Sequence, residues 1–253
     1  MLLTETQREI RDMARDYARE KLAPTAAGRD KKHVFPAAEI REMGQLGFLG
    51  MTTPEAYGGS DVGAVAYACV LEEIAAGEGA CSTILSVHNS VACGPIVKFG
   101  TKAQKQRFLP KLASGEWVGG FALSEPQAGS DAANLLTRAV RDGDHYVLTG
   151  TKQLITSGKN GNVIIAFAVT DPAAGKKGIS AFIVPTDSRL TLASTGLNIS
   201  FRDVSPTFVS RDGRPVGLPD TPLGNAFPRG FFSQAFQILA RLRRGLLILA
   251  EIS

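Results

Sequence analysis

Two polar segments carry the residue types that could hold a ligand. The first is Phe121-Ala122-Leu123-Ser124-Glu125-Pro126-Gln127-Ala128-Gly129-Ser130-Asp131, an apolar run that enters a tight loop with two hydroxyls, a proline and a glycine. Such a loop can turn backbone N–H groups and serine side chains toward a polar ring edge or a phosphate. The same composition also describes an ordinary turn. The second segment is Gly150-Thr151-Lys152-Gln153-Leu154-Ile155-Thr156-Ser157-Gly158, again polar and closed by a glycine. His33, His88 and His145 lie far apart and show no metal-ligand spacing, so each reads as a surface or packed histidine, and no metal site is expected. Glycine patterns of the Walker or dinucleotide type are absent, as is a Gly-x-Ser-x-Gly elbow.

The elements that must position these segments follow from periodicity. Thr4 and Gln7 fit a capping box. Ile10, Met13, Ala14, Tyr17, Ala18 and Leu22 then share one helix face, and the helix is expected to stop near Pro24. Further helices are predicted over 37–46, 65–76 and 82–97. Thr101 and Gln104 open another, ending near Leu112. After Gly115 the period shortens. Residues 137–141 and 145–149 flank Asp142-Gly143, a hairpin signal. Residues 117–123, 153–156, 163–169 and 179–184 are further strand candidates. Helices followed by clustered strands make this an α+β chain with segregated domains: an all-α unit over 1–115 and a β unit over 116–188.

Composition bounds the function. With 253 residues, 44% hydrophobic and 21% charged, the chain is long enough for a real core and is not a disordered composition. No continuous apolar run of membrane-spanning length is present, so no membrane span is expected. The N-terminus lacks a basic stretch before an apolar run, so no secretory signal is expected. Cys69, Cys81 and Cys93 form no Cys-x-x-Cys pair, which fits a reducing cytoplasm. The net charge of +4 sits entirely after residue 188, where eight arginines face four acids. A neutral body with a small basic tail argues against nucleic acid as a partner.

The two polar segments, the loop Pro54-Glu55-Ala56-Tyr57-Gly58-Gly59, the run Phe108-Leu109-Pro110-Lys111-Leu112-Ala113-Ser114-Gly115-Glu116 and the run Gly178-Ile179-Ser180-Ala181-Phe182-Ile183-Val184-Pro185 stand in one order and spacing. Together they resemble the acyl-CoA dehydrogenase family, from residue 1 to about Ser188. The resemblance implies a helical N-terminal domain, a β-barrel middle domain and a C-terminal four-helix bundle, with FAD held between the middle domain and the bundle. It implies FAD-dependent α,β-dehydrogenation of an acyl-CoA in fatty acid metabolism. An electron-transferring flavoprotein takes the electrons, and the family's members are homo-oligomers. Short-chain or branched-chain members look most similar. By motif match, Phe121, Leu123 and Ser124 line the flavin, with Ser124 on its pyrimidine edge. Gly129 and Ser130 lie toward the ribityl–phosphate portion, and Ser130 also toward the substrate's CoA arm. Leu154, Ile155 and Thr156 sit against the isoalloxazine, with Thr156 near N5. Leu154 replaces an aromatic residue common in the family, and Gln127 a glycine.

After Ser188 the motifs give way to a segment with no lysine and no tyrosine. Residues 189–253 therefore read as a non-homologous or out-of-frame ending. On this reading the barrel is truncated, the four-helix bundle is missing, and no catalytic residue is assigned because none matches the family's base. Residues 238–249 suggest a short basic amphipathic helix. The competing expectations are a related flavin monooxygenase or oxidase of the same fold and a non-catalytic fragment.

Overall fold

The computed structural model describes residues 2–143, 145–186, 190–192, 199–204, 207–208, 210–211 and 214–215. The first helix, α1 (Glu5–Tyr17), opens with the expected capping box: Gln7 N–H donates to Thr4 Oγ1 at 3.2 Å, and Thr4 N–H to Gln7 Oε1 at 3.0 Å. It does not stop at Pro24. A π-turn over Ala18–Leu22 leads directly into α2 (Ala23–Lys32), where Pro24 occupies the first turn. The π-turn shifts the hydrogen-bond register just ahead of the proline, whose ring and missing N–H would otherwise break the ladder. His33, at φ 54°, ends the run.

The remaining helices are α3 (Ala37–Gln45), α4 (Gly63–Gly77), α5 (Gly79–Val87), α6 (Gly94–Phe99) and α7 (Lys102–Ala113). Thr101 and Gln104 cap α7 as Thr4 and Gln7 cap α1. A π-turn over His88–Cys93 joins α5 to α6, so Gly79–Phe99 is one helical run of 21 residues. By length and hydropathy alone it could cross a membrane. Here it is a core helix: Cys81, Ile84, Leu85, Ala92, Cys93 and Ile96 are buried within the fold. The helical core gathers Tyr17, Leu22, Met43, Phe48, Leu71 and Ile74 around it.

The strands are β1 (Gly119–Ala122), β2 (Arg138–Asp142), β3 (His145–Lys152), β4 (Val163–Val169), β5 (Ile179–Pro185), β6 (Leu190–Leu192), β7 (Ile199–Val204) and β8 (Thr207–Phe208). They form one eight-stranded sheet in the order β6-β7-β3-β2-β4-β5-β8, with β1 added in parallel to β4. A small two-stranded ladder of β9 (Ser210–Arg211) and β10 (Arg214–Pro215) follows. The β2–β3 hairpin pairs Asp142 with His145 around Gly143, whose φ of 58° suits a tight turn. The sheet thus continues past Ser188, where composition had marked an end. The suggested helix over 238–249 lies outside the described residues.

Strand β4 binds the two domains. Its odd-numbered side chains, Val163, Ile165 and Phe167, pack with Ile96, Phe108 and Leu112 of the helices. Its even-numbered ones, Ile164, Ala166 and Ala168, pack with Leu148, Phe182 and Val184 on the opposite face. Period-two alternation in a strand buried on both sides therefore builds two cores at once. The strand expected over 153–156 is absent: β3 ends at Lys152, because Leu154 and Ser157 both adopt φ of 59°. That left-handed conformation is incompatible with an extended ladder.

Candidate functional site

The two polar segments meet. Where β1 ends and where β3 ends, Gln153 N–H donates to Ser124 O at 2.8 Å. Beneath that bond, Lys152 Nζ donates to Leu123 O at 3.1 Å and to Glu125 Oε1 at 2.7 Å. The Glu125 carboxylate also accepts from Leu136 N–H at 2.7 Å, Thr137 N–H at 3.1 Å and Gln127 Nε2 at 2.7 Å. Glu125 and Ala128 exchange two backbone bonds of 3.0 Å, which closes the loop tightly around Pro126 and Gln127.

Both charges are out of solvent: the Lys152 side chain is 0% exposed and that of Glu125 2%. Strand alternation explains the lysine, because Lys152 shares a register with Leu148, whose side chain faces the sheet core. Burial alone would push the Glu125 carboxyl up. The Lys152 ammonium, Thr137 and the Leu136 N–H outweigh it and hold that carboxyl well below the usual range. Burial pulls the Lys152 ammonium down, and Glu125 opposes part of that pull. The 2.7 Å contact between Nζ and Oε1 is that of an ion pair.

The second turn is closed by its own bonds, and the chain just after it is tied to Val118, the residue before β1. Gly158 N–H donates to Ile155 O at 3.0 Å and Gly161 N–H to Ser157 O at 2.6 Å. Asn162 N–H donates to Val118 O at 2.7 Å, and Val118 N–H to Asn162 Oδ1 at 2.9 Å. At Gly120 a Cβ would stand 2.7 Å from Ile164 Cδ1 and 3.0 Å from Thr156 O. Glycine there lets β1 lie directly against the turn.

The motif residues occupy different depths. Ser124, Leu123 and Thr156 are half-buried, while Gly129 and Ser130 are exposed. Leu154 is 69% exposed, a large apolar side chain held at the surface. Phe121 and Ile155 are anchors. The Phe121 ring packs edge-on to Phe167 with centroids 5.2 Å apart, and Ile155 is buried in the sheet core. Their side chains face the two opposite cores, so a surface ligand would meet Ile155 only through its backbone. The junction therefore brings one exposed apolar residue, Leu154, and two half-buried hydroxyl residues, Ser124 and Thr156, onto adjoining segments. That donor set fits a planar ring with an apolar face and a polar edge.

Glu125 and Lys152 carried no role in the motif match. The available signal was a lysine at an inward register of a strand. His88 is a packed histidine. Its Nδ1 accepts from Gly119 N–H at 3.0 Å, which leaves Nε2–H to donate to Leu112 O at 3.1 Å. Complete burial lowers its pKa to about 4, so the ring is neutral. It fastens the end of α7 to the start of β1, the strand that carries the site. No cluster of metal-binding side chains occurs among the described residues. A surface cleft of about 450 Å³ beside Arg29, His33 and Glu78 lies on the helical domain and includes none of these site residues.

Comparison with known proteins places both halves of the fold. The family model "Acyl-CoA dehydrogenase, N-terminal domain" matches residues 4–116, and "Acyl-CoA dehydrogenase, middle domain" matches residues 120–213. The second match runs past Ser188, in step with the continued sheet. The short-chain specific acyl-CoA dehydrogenase of Bos taurus mitochondria is 44% identical over 212 residues, covering 79% of this chain and 52% of that protein. Among solved structures, a chain from the electron transferring flavoprotein study of Acidaminococcus fermentans is 38% identical with a TM-score of 0.77, covering 82% of this chain and 57% of its own. An acyl-CoA dehydrogenase complexed with FAD from Bacillus anthracis is 30% identical with a TM-score of 0.74, covering 81% and 37%. The chain spans about half the length of the curated relatives it matches.

Proposed function

The chain belongs to the acyl-CoA dehydrogenase family, and from that membership we propose that it forms the FAD-binding wall for α,β-dehydrogenation of a short acyl-CoA thioester. The observation that carries this reading is the junction of the two turns, where Gln153 N–H meets Ser124 O and Lys152 Nζ meets Leu123 O, which brings together the segments that carry Ser124, Leu154 and Thr156. FAD, when bound, supplies the acceptor for the β-hydrogen. The chain's own part is to bind and to orient. Ser124 is a donor for the pyrimidine edge of the ring, where a fixed dipole stabilises developing negative charge without reorganising. Thr156 is a donor near N5. Leu154 covers the ring against water. Gly129 and Ser130, exposed just after the closed turn, leave room for the ribityl–phosphate portion and the CoA arm. No carboxylate is assigned as the base that removes the α-proton.

A short acyl group is favoured by the name of the bovine relative. Electron transfer to an electron-transferring flavoprotein and assembly as a homo-oligomer complete the proposal. A reducing, cytoplasmic setting is supported by three unpaired cysteines. The test is a titration of the purified chain with FAD, followed by butyryl-CoA under exclusion of oxygen. Quenched flavin fluorescence with a saturable endpoint supports the wall, and loss of the oxidised flavin band on adding the thioester supports the reaction. Absence of saturable binding sinks the proposal. Binding without bleaching sinks the reaction and leaves the cofactor site.

A further inference from the structure

We propose that the buried Glu125–Lys152 pair is the positioning element of this wall, setting the spacing of the two turns without touching the flavin. The proposal rests on the flavin reading above. Three segments distant in sequence converge on the pair. Lys152 Nζ holds Leu123 O, and Glu125 holds the N–H groups of Leu136 and Thr137. Gln153, the neighbour of Lys152, holds Ser124 O directly. Every one of these contacts lies within two residues of a wall residue or closes the loop that carries Gly129 and Ser130. With side chains 0% and 2% exposed, neither charge can reach a surface ligand, so any effect on one must pass through the backbone.

Filling space does not explain the pair. Two apolar residues of similar volume would occupy the site at a lower desolvation cost. What apolar residues cannot supply is a set of directional bonds to backbone groups on irregular segments. Neither turn is held by a regular ladder: Leu154 and Ser157 sit at φ of 59°, and the 125–137 loop contains no strand. Such conformations persist only where surrounding structure over-determines them.

The test compares Lys152→Met with the double variant Glu125→Gln/Lys152→Met in the full chain. Hydrogen exchange without flavin is read first. Lys152→Met should speed amide exchange at 123–131 and 153–158 by about tenfold or more while α1 and α4 keep their protection. The double variant removes the uncompensated charge, so its global stability should recover, yet both turns should remain loosened. With flavin at saturation, the double variant should show a raised dissociation constant and a shifted midpoint potential, which a purely structural role would leave unmoved once stability is restored. Wild-type exchange at both turns in the double variant overturns the inference, as does wild-type affinity and potential. If wild-type protein binds no flavin, the flavin reading falls, and exchange at the two turns still decides the clamp.

Discussion

Two of the buried polar junctions in this fold use opposite chemistry. His88 joins the helical domain to β1 with a neutral ring and two backbone bonds, to Leu112 O and from Gly119 N–H. Glu125 and Lys152 join the two turns with full charges and bonds to several segments. The first links a helix end to the start of a strand, both already ordered by their own ladders. One donor and one acceptor suffice there, and a neutral group avoids the cost of burying charge. The second fixes irregular backbone against irregular backbone. Charge-assisted bonds are shorter and stronger, and a carboxylate can accept from several donors at once. In this contrast the fully buried ion pair stands where regular structure ends, at the ends of β1 and β3.

The largest effect should come from breaking the charged junction on one side only. Lys152→Met leaves Glu125 buried and unpaired, and should cost about 3–5 kcal/mol in urea unfolding, followed through Trp117 fluorescence. Trp117 reports well because it packs at the seam against Phe108, with ring centroids 6.4 Å apart. The double variant Glu125→Gln/Lys152→Met should return to within about 1 kcal/mol of wild type, since no lone charge remains. Equal destabilisation in both variants would show that packing, not charge, governs the junction.

Acid separates the two junctions. The folded pKa of His88 is lowered from 6.5 to about 4, so the unfolded chain binds the proton more readily between those values. Stability therefore rises with pH across that window, and the contribution is complete above it. Moving from pH 7 to pH 4 should remove about 3 kcal/mol through this group. The Glu125 carboxyl is also depressed, so its contribution stands above the ordinary carboxylate range and is lost only as pH falls below it. His88→Gln should flatten the limb between pH 4 and 6.5 and spare the more acidic one. Urea midpoints at half-unit steps of pH would resolve them. An unchanged limb in His88→Gln would remove the histidine from the account.

Local features of this fold were legible in the sequence. Both capping boxes, the hairpin at Asp142-Gly143 and the strand over 163–169 depend on neighbours a few residues away. Pro24 misled because a π-turn, invisible in hydrophobic period, made room for it. The 153–156 segment misled because its apolar residues suit a strand, while the contacts of Gly120 and Ser124 fold it into a turn. The motif match set Ile155 against the flavin ring, whereas the structure turns its side chain into the sheet core. Composition marked Ser188 as an end, yet β6, β7 and β8 continue the sheet. Backbone pairing is indifferent to charge and lysine content, so a compositional break need not be a structural one. The Glu125–Lys152 contact spans 27 residues of sequence, a distance no local pattern measures.

The smallest effect should sharpen the contrast most. Leu154 is 69% exposed yet holds φ of 59°, a conformation costing a leucine about 1–2 kcal/mol and one that asparagine tolerates. Leu154→Asn should therefore raise stability by about 0.5–1 kcal/mol, since little buried surface is lost. The same change removes the apolar cover proposed for the ring, so flavin affinity should fall by a few-fold. On the proposed flavin reading, the ligand that Leu154 would cover accounts for a leucine that strains the backbone and contributes little burial. The strain must be held by something, and the charged junction is the nearest holder. In a Lys152→Met background the turn is already released, so the gain from Leu154→Asn should vanish. A gain that persists unchanged would mean that the turn is fixed from the β1 side alone, through Val118 and Gly120.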